Sequence, residues 1–147
     1  MKAIFSNFWA SLVIEGLRGF SEPRPAPLLE VGRLAQLDAN DKPVLIYSTF
    51  PSAEEAERIG GALVDRGLAA CVNIFPGMTA IYVWEGKRQR ESEAAMIIKT
   101  RAAMAAEVIA EARKLHPYTN PALLVLPITD GSEDFLRWIA EQTAKPG

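Results

Sequence analysis

The sequence predicts an α+β protein: a ferredoxin-like, split β-α-β-β-α-β sheet with a long central hairpin and an extra C-terminal helix. Three observations lead to this fold. Residues 44–50 form a short apolar run that suits a buried strand, two long β-prone runs flank Glu85-Gly86-Lys87, and a helical pattern follows each of the first and third strands. Strands and helices in this order build one sheet with its helices on one face. The other face needs a cover, which we expect further copies of the chain to supply.

The composition excludes several classes of protein. The 147 residues suffice for one domain and a tail, and 49% of them are hydrophobic. The net charge of -2 and the lack of a basic run indicate neither nucleic acid nor a membrane as a partner. The single cysteine, Cys71, rules out an intrachain disulfide. From this cysteine usage we expect a cytoplasmic protein.

The first 43 residues differ from the rest. The moderately apolar run over residues 3–17 is interrupted by polar side chains, so we interpret it as a tail rather than a secretory signal. A Pro-rich linker follows at residues 22–27. We therefore expect a poorly ordered N-terminal extension and linker over residues 1–43, and a folded domain over residues 44–147.

Local signals bound the first helix. Pro51 stops the preceding strand, and Ser52 with Glu55 matches a capping box, in which the serine hydroxyl accepts from the Glu55 amide. Gly67 suits the left-handed position after a helix. Apolar or small residues share one face between these signals: Ala56, Ile59, Gly60, Leu63 and Val64.

The central hairpin occupies residues 71–100. Pro76-Gly77 interrupts its first arm, and because the β pattern resumes at once we interpret this as a bulge. Each arm is longer than the usual strand of about 5–6 residues. Such an arm overhangs a small domain, and its apolar side chains need a second surface. The hairpin therefore predicts an oligomer.

The C-terminal part contains a helix, a strand and a short final helix. Thr100 is the predicted N-cap of the second helix, and Pro117 ends it. The apolar stripe of this helix is Met104, Val108, Ala112 and Leu115. Residues 122–128 are predicted to form the last strand, and Ser132 to cap the final helix.

Several motifs along the chain resemble those of the CutA family of divalent-cation tolerance proteins. They are residues 68–74, Pro76-Gly77, residues 82–87, Glu93, residues 98–100, His116-Pro117-Tyr118, Pro121 and residues 126–128. The resemblance covers residues 44 to 143. It implies a homotrimer of ferredoxin-like subunits, with an architecture like that of the PII signalling proteins, and a role in tolerance of copper and other divalent metals. Because no catalytic constellation accompanies the motifs, we expect a non-enzymatic protein.

Cys71 and His116 are the candidate metal ligands, for Cu(II) or another divalent cation. Thiolates and neutral imidazoles both bind copper. The alternatives are that Cys71 is a small core residue and His116 a helix-end residue beside a turn. One cysteine and one histidine do not fill a coordination sphere. Because some members of the family offer further ligands where this chain has Ser48 and Leu115, we expect weak binding.

Six hairpin residues are candidates for a cleft between subunits: Tyr82, Trp84, Glu85, Lys87, Glu93 and Lys99. Aromatic walls and a few charges suit a small-molecule ligand. The alternative is interface packing by the aromatic rings and cross-strand ion pairs by the charges. Two functions therefore stay open. One is a trimeric metal-tolerance protein that binds a divalent cation weakly, and the other is a PII-like sensor or scaffold that binds a small metabolite or a partner protein.

Overall fold

The computed structural model describes residues 37–143 of the chain. The chain divides into two units, Met1–Glu30 and Val31–Gly147, and the first lies wholly outside the described residues, as does most of the extension predicted over residues 1–43. The elements are β1 (Pro43–Phe50), α1 (Ala53–Asp65), β2 (Cys71–Trp84), β3 (Lys87–Arg101), α2 (Ala102–Leu115), β4 (Leu124–Pro127) and α3 (Glu133–Gln142). No helix among them is long and apolar enough to span a membrane.

The four strands form one antiparallel sheet in the order β2-β3-β1-β4. Val44 at the start of β1 lies between Thr100 of β3 and Pro127 of β4, which sets the register of the central strand. The two helices that follow β1 and β3 complete the split β-α-β-β-α-β order. The predicted α+β, ferredoxin-like fold is confirmed, with α3 as the additional C-terminal helix.

The main core lies between the sheet and the first two helices. Ile46 and Phe50 of β1 and Ile59 of α1 are fully buried there. Gly60 allows α1 to approach the sheet closely, because a Cβ atom at this position would lie 2.9 Å from the Met96 Sδ and 2.9 Å from a Val72 methyl carbon. The close contact of α1 with β2 and β3 therefore depends on a glycine.

The signals that bound α1 act as the sequence predicts. The Ser52 Oγ accepts from the Glu55 amide at 3.3 Å, which satisfies one of the unpaired donors in the first turn. After the C-cap residue Arg66, Gly67 has a φ of +66°. This left-handed conformation lets the chain leave the helix and turn towards β2.

Thr100 does not cap α2, contrary to the prediction. β3 continues through Arg101, and α2 begins at Ala102 without a side-chain cap. The buried Thr100 hydroxyl instead donates to the Leu68 carbonyl oxygen at 2.7 Å. The prediction failed because the buried carbonyl oxygen of Leu68 needed a donor. Leaving a buried acceptor without a hydrogen bond costs more free energy than leaving a solvent-exposed helix end without a side-chain cap. β4 is also shorter than the predicted run of residues 122–128.

The hairpin contains both predicted irregularities. Its ladder is interrupted between Phe75 and Met78, where Gly77 has a φ of +72°, so the bulge is confirmed. At the tip, Glu85 and Gly86 have φ values of 49° and 76°, as a two-residue type I′ turn requires. β1 ends opposite Ala94, so the hairpin over residues 78–93 runs on past the central strand. We call residues 78–93 the hairpin extension; its arms span roughly 23 Å at about 3.3 Å per residue.

The sheet face opposite α1 and α2 carries exposed apolar side chains. By register, Leu124 and Leu126 of β4 share this face with Leu45 and Tyr47 of β1. Leu124, Leu126 and, on β2, Phe75 are exposed. We call this surface the open face. An apolar sheet surface of this kind is typical of a protein–protein interface.

Candidate functional site

Ring stacking and two hydrogen bonds fix the orientation of the His116 side chain. It follows α2 directly, and its ring stacks on Phe50 with the centroids 4.6 Å apart and the planes at 26°. Its Nε2 lies 3.0 Å from the Thr49 carbonyl oxygen, and its Nδ1 accepts from the Tyr118 amide at 3.1 Å. A carbonyl oxygen can only accept, so the neutral tautomer with hydrogen on Nε2 satisfies both contacts. Burial lowers the pKa of His116, because the charged ring is the costlier form to bury.

These contacts leave the imidazole without a free lone pair for a metal ion. The Nδ1 lone pair is directed at the Tyr118 amide hydrogen, and Nε2 carries the proton. Across residues 37–143, no group of three or more His, Cys, Asp or Glu side chains could hold a metal ion. This part of a single chain therefore does not provide a complete coordination sphere.

Cys71 lies far from His116. It begins β2, is half-buried, has a free thiol, and pairs in register with Lys99. His116 contacts Thr49, which pairs with Ala95, four residues along β3 from Lys99. That separation is on the order of 13 Å along the sheet. The structure does not bring the two candidate ligands together in one chain, and their assignment as ligands stays a prediction.

Ser48 and Leu115 occupy the positions where some members of the family offer further ligands. Ser48 is fully buried, and within the described part of the chain its Oγ has no hydrogen-bond partner. Leu115 ends α2 and packs against the main core, while its carbonyl oxygen accepts from Arg58. Neither side chain adds a metal ligand to His116.

Glu93 and Tyr118 form a partly buried polar contact on the hairpin side of His116. The Tyr118 hydroxyl donates to the Glu93 Oε1 at 2.7 Å, and Glu93 is only 9% exposed. Burial and the neighbouring Glu93 raise the pKa of Tyr118 well above its ordinary value, so this phenol remains a donor. Glu91 and Tyr82 also act electrostatically on Tyr118. We call these four residues the Glu93 cluster.

Sequence reasoning did not include Tyr118 among the candidate site residues. The signal was present, because Tyr118 belongs to the His116-Pro117-Tyr118 motif. The motif places two aromatic rings 5.1 Å apart, with His116 directed at β1 and Tyr118 at β3. The contact with Glu93 spans 25 residues of sequence, so periodicity alone could not reveal it.

The six candidate cleft residues are spread along the hairpin. Trp84 is exposed at the tip and pairs with Lys87, while Glu85 lies in the turn. Tyr82 belongs to the Glu93 cluster. Lys99 lies near the other end of β3, roughly 40 Å from Lys87 along the strand, and its ammonium group binds the Asn73 side-chain oxygen. One chain therefore places Tyr82 and Glu93 on the same face of the hairpin and separates both from Lys99.

The fold and these surfaces define the class of protein: a ferredoxin-like α+β domain with an apolar open face and a long hairpin extension. The family model described as "CutA1 divalent ion tolerance protein" matches residues 44–142. The chain therefore belongs to the CutA1 divalent ion tolerance family.

Curated relatives and solved structures agree with this assignment. The chain is 50% identical over 96 residues to the divalent-cation tolerance protein CutA of Archaeoglobus fulgidus, covering 65% of this chain and 93% of the relative. It is 39% identical over 100 residues to the chloroplastic protein CutA of Arabidopsis thaliana, covering 68% of this chain and 55% of the relative.

Two solved structures show the same fold. The structure described as the periplasmic divalent cation tolerance protein CutA from Archaeoglobus fulgidus has a TM-score of 0.67 at 47% identity, covering 69% of this chain and 99% of that one. The crystal structure of CutA1 from Oryza sativa has a TM-score of 0.70 at 34% identity, covering 74% of this chain and all of that one (100%). The match thus extends over nearly the whole length of both solved chains.

The predicted cytoplasmic location is wrong by these comparisons. The Archaeoglobus protein is described as periplasmic and the Arabidopsis relative as chloroplastic. The prediction rested on the single cysteine, which excludes only an intrachain disulfide. A chain that needs no disulfide carries no requirement for a reducing compartment, so its cysteine count does not determine its location.

Proposed function

We propose that this chain acts as a non-enzymatic homotrimer in divalent-metal tolerance, and that it contacts copper or another divalent cation weakly. Membership of the CutA1 family supports the tolerance role. The observation that supports weak rather than tight metal binding is that residues 37–143 hold no group of three side chains able to ligate one ion. A complete coordination sphere then needs ligands from several copies or from solvent.

The two edges of the sheet support an oligomer. β2 and β4 are the edge strands, and β4 exposes Leu124, Val125 and Leu126. An edge strand presents unpaired backbone groups that another strand can complete. Pairing β2 of one copy with β4 of the next repeats one contact around a closed ring, which is how a trimer is built from a single kind of interface.

Cys71 is the better of the two candidate metal contacts. His116 would have to release the Tyr118 amide before its Nδ1 could bind an ion, and it is buried. The Cys71 thiol is half-buried and free, and its strand pairing with Lys99 places it on the open face. Copies that meet across their open faces would bring several thiols together, and thiolates are ligands that copper prefers.

The test is a copper titration by calorimetry on the metal-free chain, with the same sample sized by light scattering. We expect a trimer that binds copper weakly, loses that binding in Cys71→Ser, and keeps it in His116→Gln. Met78→Leu is the matched control, because Met78 offers another partly buried sulfur on the hairpin. Unchanged copper binding in Cys71→Ser would contradict the ligand assignment, and a monomer in solution would contradict the trimer.

A second candidate function is a PII-like sensor or scaffold that binds a small metabolite or a partner protein between subunits. The specific observation in its favour is the Glu93 cluster, where Tyr118 holds one carboxylate oxygen of a nearly buried glutamate. A few fixed polar groups beside aromatic rings suit a small-molecule site.

Thermal unfolding with a panel of metabolites tests this candidate, because a ligand of the native state raises the melting temperature by mass action. We expect a positive shift in the wild type that shrinks in Glu93→Gln and persists in Glu57→Gln, a matched change at an exposed position of α1. A clear copper response without any metabolite shift would reject the sensor.

A further inference from the structure

One face of the hairpin extension is basic and apolar. Because strand side chains alternate, Ile81 and Val83 of β2 share this face with their register partners Arg90 and Arg88 of β3. Ile81 is 64% exposed and Val83 is 70% exposed. Within residues 37–143 the two arginines take part in no ion pair. We call this surface the basic face.

The opposite face of the extension is acidic and aromatic. Its members are Tyr82, Trp84, Glu91 and Glu93, with Lys87 beside Trp84 at the tip. The nearly buried Glu93 receives a phenol hydrogen, yet no lysine or arginine of the described residues pairs with it or with Glu91. Carboxylates this buried are usually paired with a cation. We call this surface the acidic face.

We propose that the basic face of one copy lies on the acidic face of the next copy, with Arg88 and Arg90 directed at the carboxylates of Glu91 and Glu93. The inference rests on the homotrimer proposed above and names a surface that holds it together. Each face offers what the other lacks: unpaired cations against unpaired carboxylates, and exposed aliphatic side chains against aromatic rings.

The geometry of the ribbon favours a ring over a two-fold dimer. The two faces point in opposite directions, so one extension can touch one neighbour with its basic face and another with its acidic face. This contact is heterologous, and heterologous contacts close into rings when the rotation between copies permits. The extension is long enough, at roughly 23 Å for each arm, to reach beyond its own sheet.

Charge reversal tests the pairing. We would prepare Arg90→Glu, Glu91→Arg and the double variant, and measure subunit exchange between isotope-labelled and unlabelled protein by native mass spectrometry. Each single reversal sets like charges against each other in every interface, so the exchange rate should rise about ten-fold or more. The double variant restores opposite charges in every interface, and its rate should return to within about two-fold of the wild type.

Two matched controls separate the surface from the charge. Glu57→Arg on α1 and Arg113→Glu on α2 make the same changes of charge at exposed helix positions. Both should exchange at the wild-type rate, and circular dichroism should show that every variant is folded. The Glu93 carboxylate is left unchanged because it also binds Tyr118.

The outcomes distinguish this inference from the proposed function. A wild-type chain that is monomeric would overturn both the homotrimer and the pairing of faces. A trimeric wild type whose single reversals exchange no faster, or whose double variant is not rescued, would overturn the pairing alone. Faster exchange in both single variants with rescue in the double variant would establish the contact.

Discussion

The helix-covered half of the sheet and the hairpin extension both carry aliphatic and aromatic side chains on their strands. They differ in what fixes their shape. In the first, Ile46, Phe50 and Ile98 are fully buried against α1 and α2. In the second, Ile81, Val83 and Trp84 are exposed. Apolar burial stabilises the first region, whereas the second is fixed by its backbone ladder and its turn. The chain thus contains one half that its own core stabilises and one half whose apolar side chains are exposed.

Removing an aromatic ring from the helix-covered half should have the largest effect on the stability of the protein. Phe50→Ala removes a fully buried side chain that also stacks on His116. We expect a loss of about 3–5 kcal/mol in the free energy of unfolding, measured by chemical denaturation. The matched change in the extension is Val83→Ala, which should cost little at protein concentrations where the chain is monomeric. A comparable loss for Val83→Ala in the monomer would contradict the contrast between the two regions.

The close approach of α1 to the sheet gives the next effect. Gly60→Ala forces a methyl group against Met96 and Val72, and overpacking of this kind costs about 1–3 kcal/mol. Gly61→Ala is the control, because no heavy atom lies within 4 Å of its added carbon. Its higher helix propensity should stabilise the protein by about 1 kcal/mol. A similar stabilisation at both positions, measured by thermal unfolding, would show that helix propensity rather than packing decides the effect.

Acid should weaken the junction between the two regions through His116. Burial lowers the pKa of this histidine in the folded chain below its unfolded value of 6.5, so the unfolded chain binds the proton more readily. The stabilisation is therefore complete above pH 6.5 and declines as the pH falls towards the folded pKa. Denaturation between pH 8 and pH 5, at roughly half-unit steps, should show this decline in the wild type and a smaller one in His116→Gln. Identical pH profiles would contradict it.

The smallest expected effect lies at the tip of the extension. Glu85 has a φ of 49°, a conformation that costs most residues about 1 kcal/mol and that asparagine adopts more readily. Glu85→Asn should stabilise the hairpin by up to that amount, and Gly86→Ala should destabilise it, both measured by thermal unfolding. A destabilised Glu85→Asn would indicate that the carboxylate itself makes a needed contact.

Most of the fold could be predicted because its signals are local. The Ser52 cap, the turn at Gly67 and the bulge at Gly77 each depend on a few neighbouring residues, and all three are present. The candidate site was harder to predict. His116 and Glu93 stood out in the sequence, but the atoms that engage them belong to Thr49, 67 residues away, and to Tyr118, 25 residues away.

The sequence by itself determined the order and type of the elements, because hydrophobic periodicity, caps and turn residues act within a few positions of one another. Tertiary structure decided the role of single polar groups. The Thr100 hydroxyl donates to the carbonyl oxygen of Leu68, in the loop before β2, instead of capping a helix, and both nitrogens of His116 bond to the backbone. The physical reason is that a buried donor or acceptor must bond to whatever polar group lies beside it, and the packing of segments distant in sequence decides which group that is.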